Sequence, residues 1–433
     1  MENCCLRRKI FNPTFFVLCR VVLFLIIGIE SLHSQQSISS DVINSLLIKD
    51  GFENVSSVLN DTLIVVAFEN RRYRDNGRAI AEVLLKLGEN FQQSKPIDFN
   101  LILLYQKVPM LLIRVNSQDY DNLKNQVIDM EEFNARMLVT TNYISEFNLL
   151  KEKKGENPSV FKPDIVVIPQ IKTQFGNFDN PVQSNINLIP ELNIQFTKGL
   201  SFQGQLIIPL QNDFYFDTVG KEVRPGNITL NQFVRLEDDF YLDATAGFFD
   251  KNRAGLNLEI RKNIANGQFG IGANVGYTTG YSYTGNWTEY LDYENYLTAL
   301  LELEYRYLPF DLTGTLQAGN FLYNSLGVRF DVVRQFGEVD IGFYALVASG
   351  EINGGFNGGF NIVIPLPPKK YMKLKYAGIR PSHRFNWEYR AKGFLRAGIM
   401  YKTGHRLHEL FLDFNPDQIK NQIIRELIKI LYF

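Results

Sequence analysis

The chain has 433 residues, with 45 Lys and Arg against 46 Asp and Glu and a formal charge of -1. A balance so close to neutral argues against a nucleic-acid-binding protein, which carries a marked basic excess. The length allows about two to three domains, each large enough to bury its own core.

At the start of the chain, Arg7, Arg8 and Lys9 precede the apolar run FFVLCRVVLFLIIGI, and a polar chain begins at SLHSQQ. This order predicts a secretory signal peptide over residues 1–34, cleaved after Ser34. Arg20 interrupts the apolar run, and the alternative is an uncleaved amphipathic anchor. Cys4, Cys5 and Cys19 all fall inside this leader, so the exported chain has no thiol for a disulfide, a nucleophile or a metal. Removing the leader leaves 41 basic against 44 acidic residues, a charge of -3. No later segment has the roughly twenty uninterrupted apolar residues of a membrane-crossing helix, so any membrane passage would be made by strands.

Residues 35–155 read as a small α/β domain. DTLIVVAFEN, Asp61 to Asn70, has strand character, and Gly77 to Phe91 places Ile80, Val83, Leu84 and Leu87 at helical spacing. Ile97 to Asn116 supplies two short strands broken around Lys107 to Pro109, and a polar helical stretch follows over Gln118 to Arg136. The charged, aperiodic KEKKGENPS, Lys151 to Ser159, marks a boundary.

Residues 160–368 have a different texture, with about a dozen segments of strand length separated by turn signals. Alternation is the strongest signal in the chain. Leu256, Leu258 and Ile260 oppose Asn257, Glu259 and Arg261, and Phe269, Ile271, Ala273, Val275 and Tyr277 oppose Gly270, Gly272, Asn274 and Gly276. Leu297, Ala299, Leu301, Leu303, Tyr305 and Tyr307 oppose Thr298, Glu302, Glu304 and Arg306. A soluble sandwich alternates with its polar face outward. A transmembrane barrel turns the apolar residues to lipid and the polar ones to a wet interior. Segment length and the aromatic residues near strand ends, among them Tyr281, Tyr283, Trp287, Tyr305 and Tyr307, favour an antiparallel transmembrane β-barrel of about 12 strands. The candidate lumen-facing charges are Glu191, Glu259, Arg261, Glu302, Glu304, Arg306, Arg329 and Asp331, with Glu302 and Glu304 expected to face Arg261, Arg306 or Arg329.

Residues 369–433 read as a basic, aromatic periplasmic segment with a C-terminal helix. GFLRAGIMYKTG suggests one more strand, and Ile419, Ile423, Ile424, Leu427, Ile428 and Leu431 fall at helical spacing behind the cap Asn415 and Pro416. The terminal Phe433 is a candidate assembly signal of a bacterial barrel.

GFENVSSV (Gly51 to Val58), VVAFENRRYRDNGRAIAEVL (Val65 to Leu84), NGGFNGGFNIVIPLPPKK (Asn353 to Lys370) and RPSHRFNWEYR (Arg380 to Arg390) resemble the YjbH-like family of outer-membrane exopolysaccharide biosynthesis and export proteins. The resemblance spans Gly51 to Arg390 and implies an outer-membrane barrel with a periplasmic α/β domain, outer-membrane lipid around it, and polysaccharide and envelope export proteins as partners. Better-known members look like two barrel-plus-domain units, and this chain has room for one.

The residues point to no enzyme, cofactor or metal. Glu302 and Glu304 have the strand spacing of a glycosidase pair, but carboxylates on a wet interior face are the ordinary content of a barrel. His405 and His408 lack a third ligand at fixed spacing. GGFNGGF, Gly354 to Phe360, lacks the Lys of a phosphate loop and reads as a turn entering the last strand. Arg71, Arg72 and Arg74, at a strand-to-helix junction, are the candidate contact for an acidic sugar or a partner. The expected role is non-enzymatic help in exopolysaccharide or capsule export. A general porin and a structural component of a secretion system are the alternatives.

Overall fold

The computed structural model describes residues 39–91, 96–175, 181–214, 219–282, 289–349, 355–373, 375–391 and 397–432. The signal peptide expected over 1–34, Tyr283, Trp287 and Phe433 lie outside the described residues. Residues Ser40–Phe433 form one compact unit built on two sheets.

The first sheet holds β1 (Glu53–Leu59), β2 (Leu63–Glu69), β3 (Asp98–Tyr105), β4 (Val108–Asn116) and β5 (Leu138–Thr140), in that spatial order. Helix α1 (Ser40–Asp50) precedes it, and α2 (Asn76–Asn90) connects β2 to β3, which pair in parallel as a crossover helix requires. The other pairs are antiparallel. Helices α3 (Ser117–Lys124), α4 (Met130–Arg136) and α5 (Ile144–Leu149) complete the domain. Ile80, Val83, Leu84 and Leu87 of α2 are fully buried, as their spacing predicts. Val65, Ala67, Ile102, Leu104, Leu112 and Leu150 form a core cluster on the sheet.

The second sheet has 14 strands. Twelve follow each other antiparallel: β6 (Asp164–Phe175), β7 (Val182–Thr197), β8 (Leu200–Asn212), β9 (Arg224–Arg235), β10 (Phe240–Phe249), β11 (Arg253–Ile264), β12 (Phe269–Ser282), β13 (Glu289–Tyr307), β14 (Leu312–Phe321), β15 (Ser325–Phe336), β16 (Val339–Ala348) and β17 (Gly355–Pro365). The remaining two, β18 (Gly378–Pro381) and β19 (Arg384–Arg390), belong to one run of chain. β18 pairs in parallel with β6 and β19 antiparallel with β17, so this run holds both ends of the twelve-strand series. Trp387 Nε1 also donates to Thr173 Oγ1 of β6 at 3.2 Å.

Alternation along these strands is inverted relative to a soluble protein. Leu256, Leu301 and Phe343 are 64%, 68% and 62% exposed, while Asn257, Thr298 and Arg306 on the opposite face are at most 3% exposed. A sandwich would bury the first set and solvate the second, so the soluble-sandwich alternative fails on this pattern. None of the described helices is long and apolar enough to cross a membrane.

The C-terminal part departs from expectation. RPSHRFNWEYR, read as part of a separate tail, supplies β18 and β19 of the large sheet. Residues 397–404, expected as a strand, have no strand pairing and lie against the polar face of the sheet. Gly355–Phe360, expected in a turn, already belongs to β17. Helix α6 (Leu407–Asp413) and helix α7 (Pro416–Tyr432) end the chain. Asn415 caps α7 by accepting from the Asp417 amide at 3.0 Å, with Pro416 leading the helix as its missing N–H allows.

Candidate functional site

The polar face of the large sheet is covered by residues 397–414, which run along it from one end of the strands to the other. At the end where β10 finishes and β11 begins, Tyr401 stacks on Phe249 with ring centroids 5.3 Å apart. Its hydroxyl donates to Asn257 Oδ1 at 2.9 Å and lies 3.2 Å from Thr298 Oγ1. Ala397 packs into a cluster with Leu300, Phe321, Leu346 and Ala348. Leu300 and Leu346 are apolar residues on a largely polar face, and the covering segment sits on them.

Two glycines of β12 make the cover possible. A Cβ at Gly276 would overlap the Tyr401 hydroxyl, and one at Gly270 would overlap the Arg261 guanidinium. Glycine on the polar face of this strand is room for what lies on top of it.

Midway, the charges gather. Arg261 of β11 reaches across Gly270 to β13, with Nη2 2.6 Å from Glu304 Oε1 and Nη1 3.3 Å from Glu302 Oε1. His408 of α6 places Nδ1 2.8 Å from Glu304 Oε2 and 3.7 Å from Glu302. Desolvation works against the His408 charge, but the two carboxylates outweigh it and hold its pKa above the ordinary value. The guanidinium of Arg261 also lies 5.0 Å over the Phe411 ring. Glu302, Glu304 and His408 bring their ligand atoms within 4.8 Å of one another, a spacing that suits a cation by count. Arg261 and His408 already neutralise both carboxylates there, and the adjoining cavity of about 20 Å³ has room for little more than a water molecule.

The other expected charges are distributed differently. Glu259 receives the Leu407 amide at 2.8 Å and faces Arg406 at 3.6 Å, so it holds the start of α6. Arg306 binds Asp311 and Asp417, each at 3.0 Å, and thereby fixes the start of α7 instead of facing Glu302 or Glu304. Arg329 pairs with Asp331 on its own strand at 2.7 Å. Glu191 accepts from Asn193 and Gln205, each at 2.7 Å.

Beyond α6 the chain leaves the sheet and joins the α/β domain. Ile419, Ile423 and Leu427 of α7 are fully buried where the helix packs on α2. Gly77 of α2 sits directly against Gln422 and Ile423, and Arg78 Nη1 reaches Glu426 at 3.2 Å. The same end of the sheet meets the domain through Arg235, whose guanidinium donates to the carbonyls of Pro109, Met110 and Thr141, each at 2.7 Å.

Arg71, Arg72 and Arg74 do lie at the β2-to-α2 junction, where protein carboxylates occupy Arg71 and Arg74 while Arg72 Nε and Nη1 are buried with no hydrogen-bond partner. Arg71 stands 3.5 Å from both Glu53 and Glu69, and Arg74 pairs with Glu338 of the β15–β16 turn and donates to Leu366 O at 3.1 Å. The Arg72 carbonyl accepts from the Tyr371 amide at 2.8 Å. Burial raises the Glu53 and Asp75 carboxyls above their ordinary range despite these arginines. This junction is a seam between the domain and the strand ends.

A cavity of about 440 Å³ lies at that seam, bounded by the α/β domain, the first residues of β6 and β8, the 380–384 run and residues 404–422. It was not expected from sequence, because its walls come from stretches of chain scattered between Glu69 and Gln422. The glycine at 404 and the carboxamides of Gln106, Gln203 and Gln418 have no local pattern that joins them.

The family model described as exopolysaccharide biosynthesis protein YbjH matches residues 29–373. The chain belongs to this YjbH family. No curated protein matches it. Among solved structures, the family member is similar to a loop L8 deletion mutant of OmpT, an outer membrane protein of Vibrio cholerae, at 12% identity and a TM-score of 0.28, covering 46% of this chain and 86% of that one. In-vitro folded OmpT of the same organism matches at 10% identity and a TM-score of 0.24, covering 46% and 79%. Similarity at this level does not establish a shared fold.

Proposed function

We propose that this YjbH-family chain is an outer-membrane β-barrel of a Gram-negative bacterium that assists exopolysaccharide or capsule export or assembly without catalysing a reaction. The inverted sheet carries the reading. A face of Leu, Phe, Tyr and Val left exposed over twelve strands, with Arg, Glu, Asn and Thr buried behind it, is stable where lipid surrounds the protein. The run 378–390 pairs with β6 through β18 and with β17 through β19, which supports a barrel reading, in which few edge groups would be left facing lipid.

The α/β domain meets the strands where their connections are short, as at 198–199 and 337–338, and short turns mark the periplasmic side of such barrels. The domain is therefore periplasmic in this reading, and residues 397–414 fill the lumen. A filled lumen supports an accessory that opens with its partners over a general porin. The neutralised Glu302, Glu304, Arg261 and His408 cluster supports a structural role for these charges over a catalytic one.

A clean deletion, complemented by the wild type and by a version lacking residues 397–433, tests this with surface polysaccharide measured beside membrane fractionation. Loss of surface polymer with the wild-type protein in the outer membrane is expected. Unchanged polymer would overturn the export role, and a protein-secretion defect in its place would favour the secretion-system alternative.

A further inference from the structure

We infer that the 440 Å³ cavity at the seam is a binding site for a short neutral saccharide, a hydroxyl-rich ligand and not an acidic one. The inference rests on the export reading for the source of the sugar, but its chemistry comes from the walls.

The volume lies within the ~300–1,000 Å³ of small-molecule sites. Gln106, Gln203 and Gln418 line it, each more than nine-tenths buried, and the side-chain oxygen of each has no hydrogen-bond partner. His405 Nε2, also in the lining, is likewise buried and unpartnered, while Asp75 Oδ2 has only Arg74 Nη2 at 3.6 Å. Desolvation lowers His405 to about 4, so its ring is neutral. Buried polar atoms that find no protein partner require one from elsewhere, and a cluster of acceptors calls for a donor-rich ligand. Sugar hydroxyls donate and accept, and a carboxamide can present either end to them. Tyr105 adds an aromatic ring, held edge-on against Phe414 at 5.7 Å, which suits the apolar face of a sugar ring.

Charge sets the class of sugar. Each arginine in the lining is already committed to a carboxylate: Arg71 to Glu53 and Glu69, Arg74 to Glu338, Arg380 to Asp164, Arg384 to Asp340 and Asp413, and Arg406 to Glu259. An added carboxylate or phosphate would meet Asp75 and three carboxamide oxygens, and none of the five lining guanidiniums is without a carboxylate already. A neutral sugar matches the walls, and a uronic acid does not.

The test uses the full chain in detergent micelles and the producing cell's own exopolysaccharide, partly hydrolysed and separated by anion exchange into neutral and acidic oligosaccharides. Equilibrium dialysis is expected to retain the neutral fraction, and Gln418→Leu and Gln203→Leu are each expected to weaken retention by about tenfold, the loss of one hydrogen bond to a buried group. Heat-modifiable migration on gels checks that each variant is folded, and Gln418→Leu, at the start of a surface-packed helix, stands in if Gln203→Leu does not fold. Preference for the acidic fraction, retention of neither fraction, or folded variants that bind like the wild type would each overturn the inference. Polymer loss on deletion without saccharide binding would sink the site and leave the export role standing. Saccharide binding without a polymer phenotype would uphold the site and sink the export role.

Discussion

His408 Nδ1 lies 2.8 Å from Glu304 Oε2, which ties the covering segment to the middle of β13. Glu302 and Arg261 also face His408, and Arg406, two residues earlier in the chain, stands against Glu259. Because the folded-state pKa of His408 is raised above the free value of about 6.5, its contribution is fully present below that pH and is lost as pH rises through the folded value. Limited proteolysis of residues 397–414, taken as a ratio to His408→Asn at each pH, should show the wild type protected at pH 6 and the protection gone at pH 9. A ratio that stays constant over this range would contradict the ion pair.

Tyr401 and Gly276 make a second test of the same segment. Gly276→Val places a side chain where the Tyr401 hydroxyl lies, and overpacking of this kind costs about 1–3 kcal/mol. Tyr401→Ala removes the obstacle. The double variant should therefore be more stable to urea than the sum of the single losses allows, a coupling that vanishes if Tyr401 does not sit over β12.

The wall was legible and its filling was not. Strands announce themselves by period two, so about a dozen segments between Asp164 and Pro365 could be counted from sequence and several, β11, β12 and β13 among them, could be faced. Residues 397–404 follow no period, because an extended segment against a polar face takes its hydrogen bonds from Ser325, Asn257 and Thr298 one by one. The available signal was indirect: Gly270, Gly272 and Gly276 on the polar side of β12, and Leu300 and Leu346 where polar residues were due. Arg261 facing Glu302 and Glu304 was anticipated, since strands in register bring them close. Arg306 was misassigned because its partners, Asp311 and Asp417, lie in a turn and at a helix start that strand alternation does not describe. For Arg71 and Arg74 the junction was read correctly, but the carboxylates that occupy them come from β1, β2 and the β15–β16 turn.

Helix α7 anchors the covering segment to the α/β domain, and Ile423 is fully buried between α7 and Gly77 of α2. Ile423→Ala should cost about 2–5 kcal/mol, read from the denaturant midpoint of the domain signal. The same variant should raise proteolysis of residues 397–414, since α7 then grips α2 less firmly and more of its hold falls to Arg306 and Asp417. An unshifted midpoint would mean that α7 is not docked on α2.

Leu301 separates a lipid-facing wall from a soluble one. It sits near the middle of β13, paired between Ala273 and Ala318, and is 68% exposed. On a water-facing surface, Leu301→Arg would change stability by less than about 0.5 kcal/mol. At the midplane of a bilayer the same charge costs about 2–4 kcal/mol, because the guanidinium must leave water for hydrocarbon. Refolding into phospholipid vesicles over a urea titration should give the larger value, with Leu312→Arg at the strand end losing less, as the cost falls toward the interface. Equal, small losses at both positions would mean that the exposed apolar face does not meet lipid.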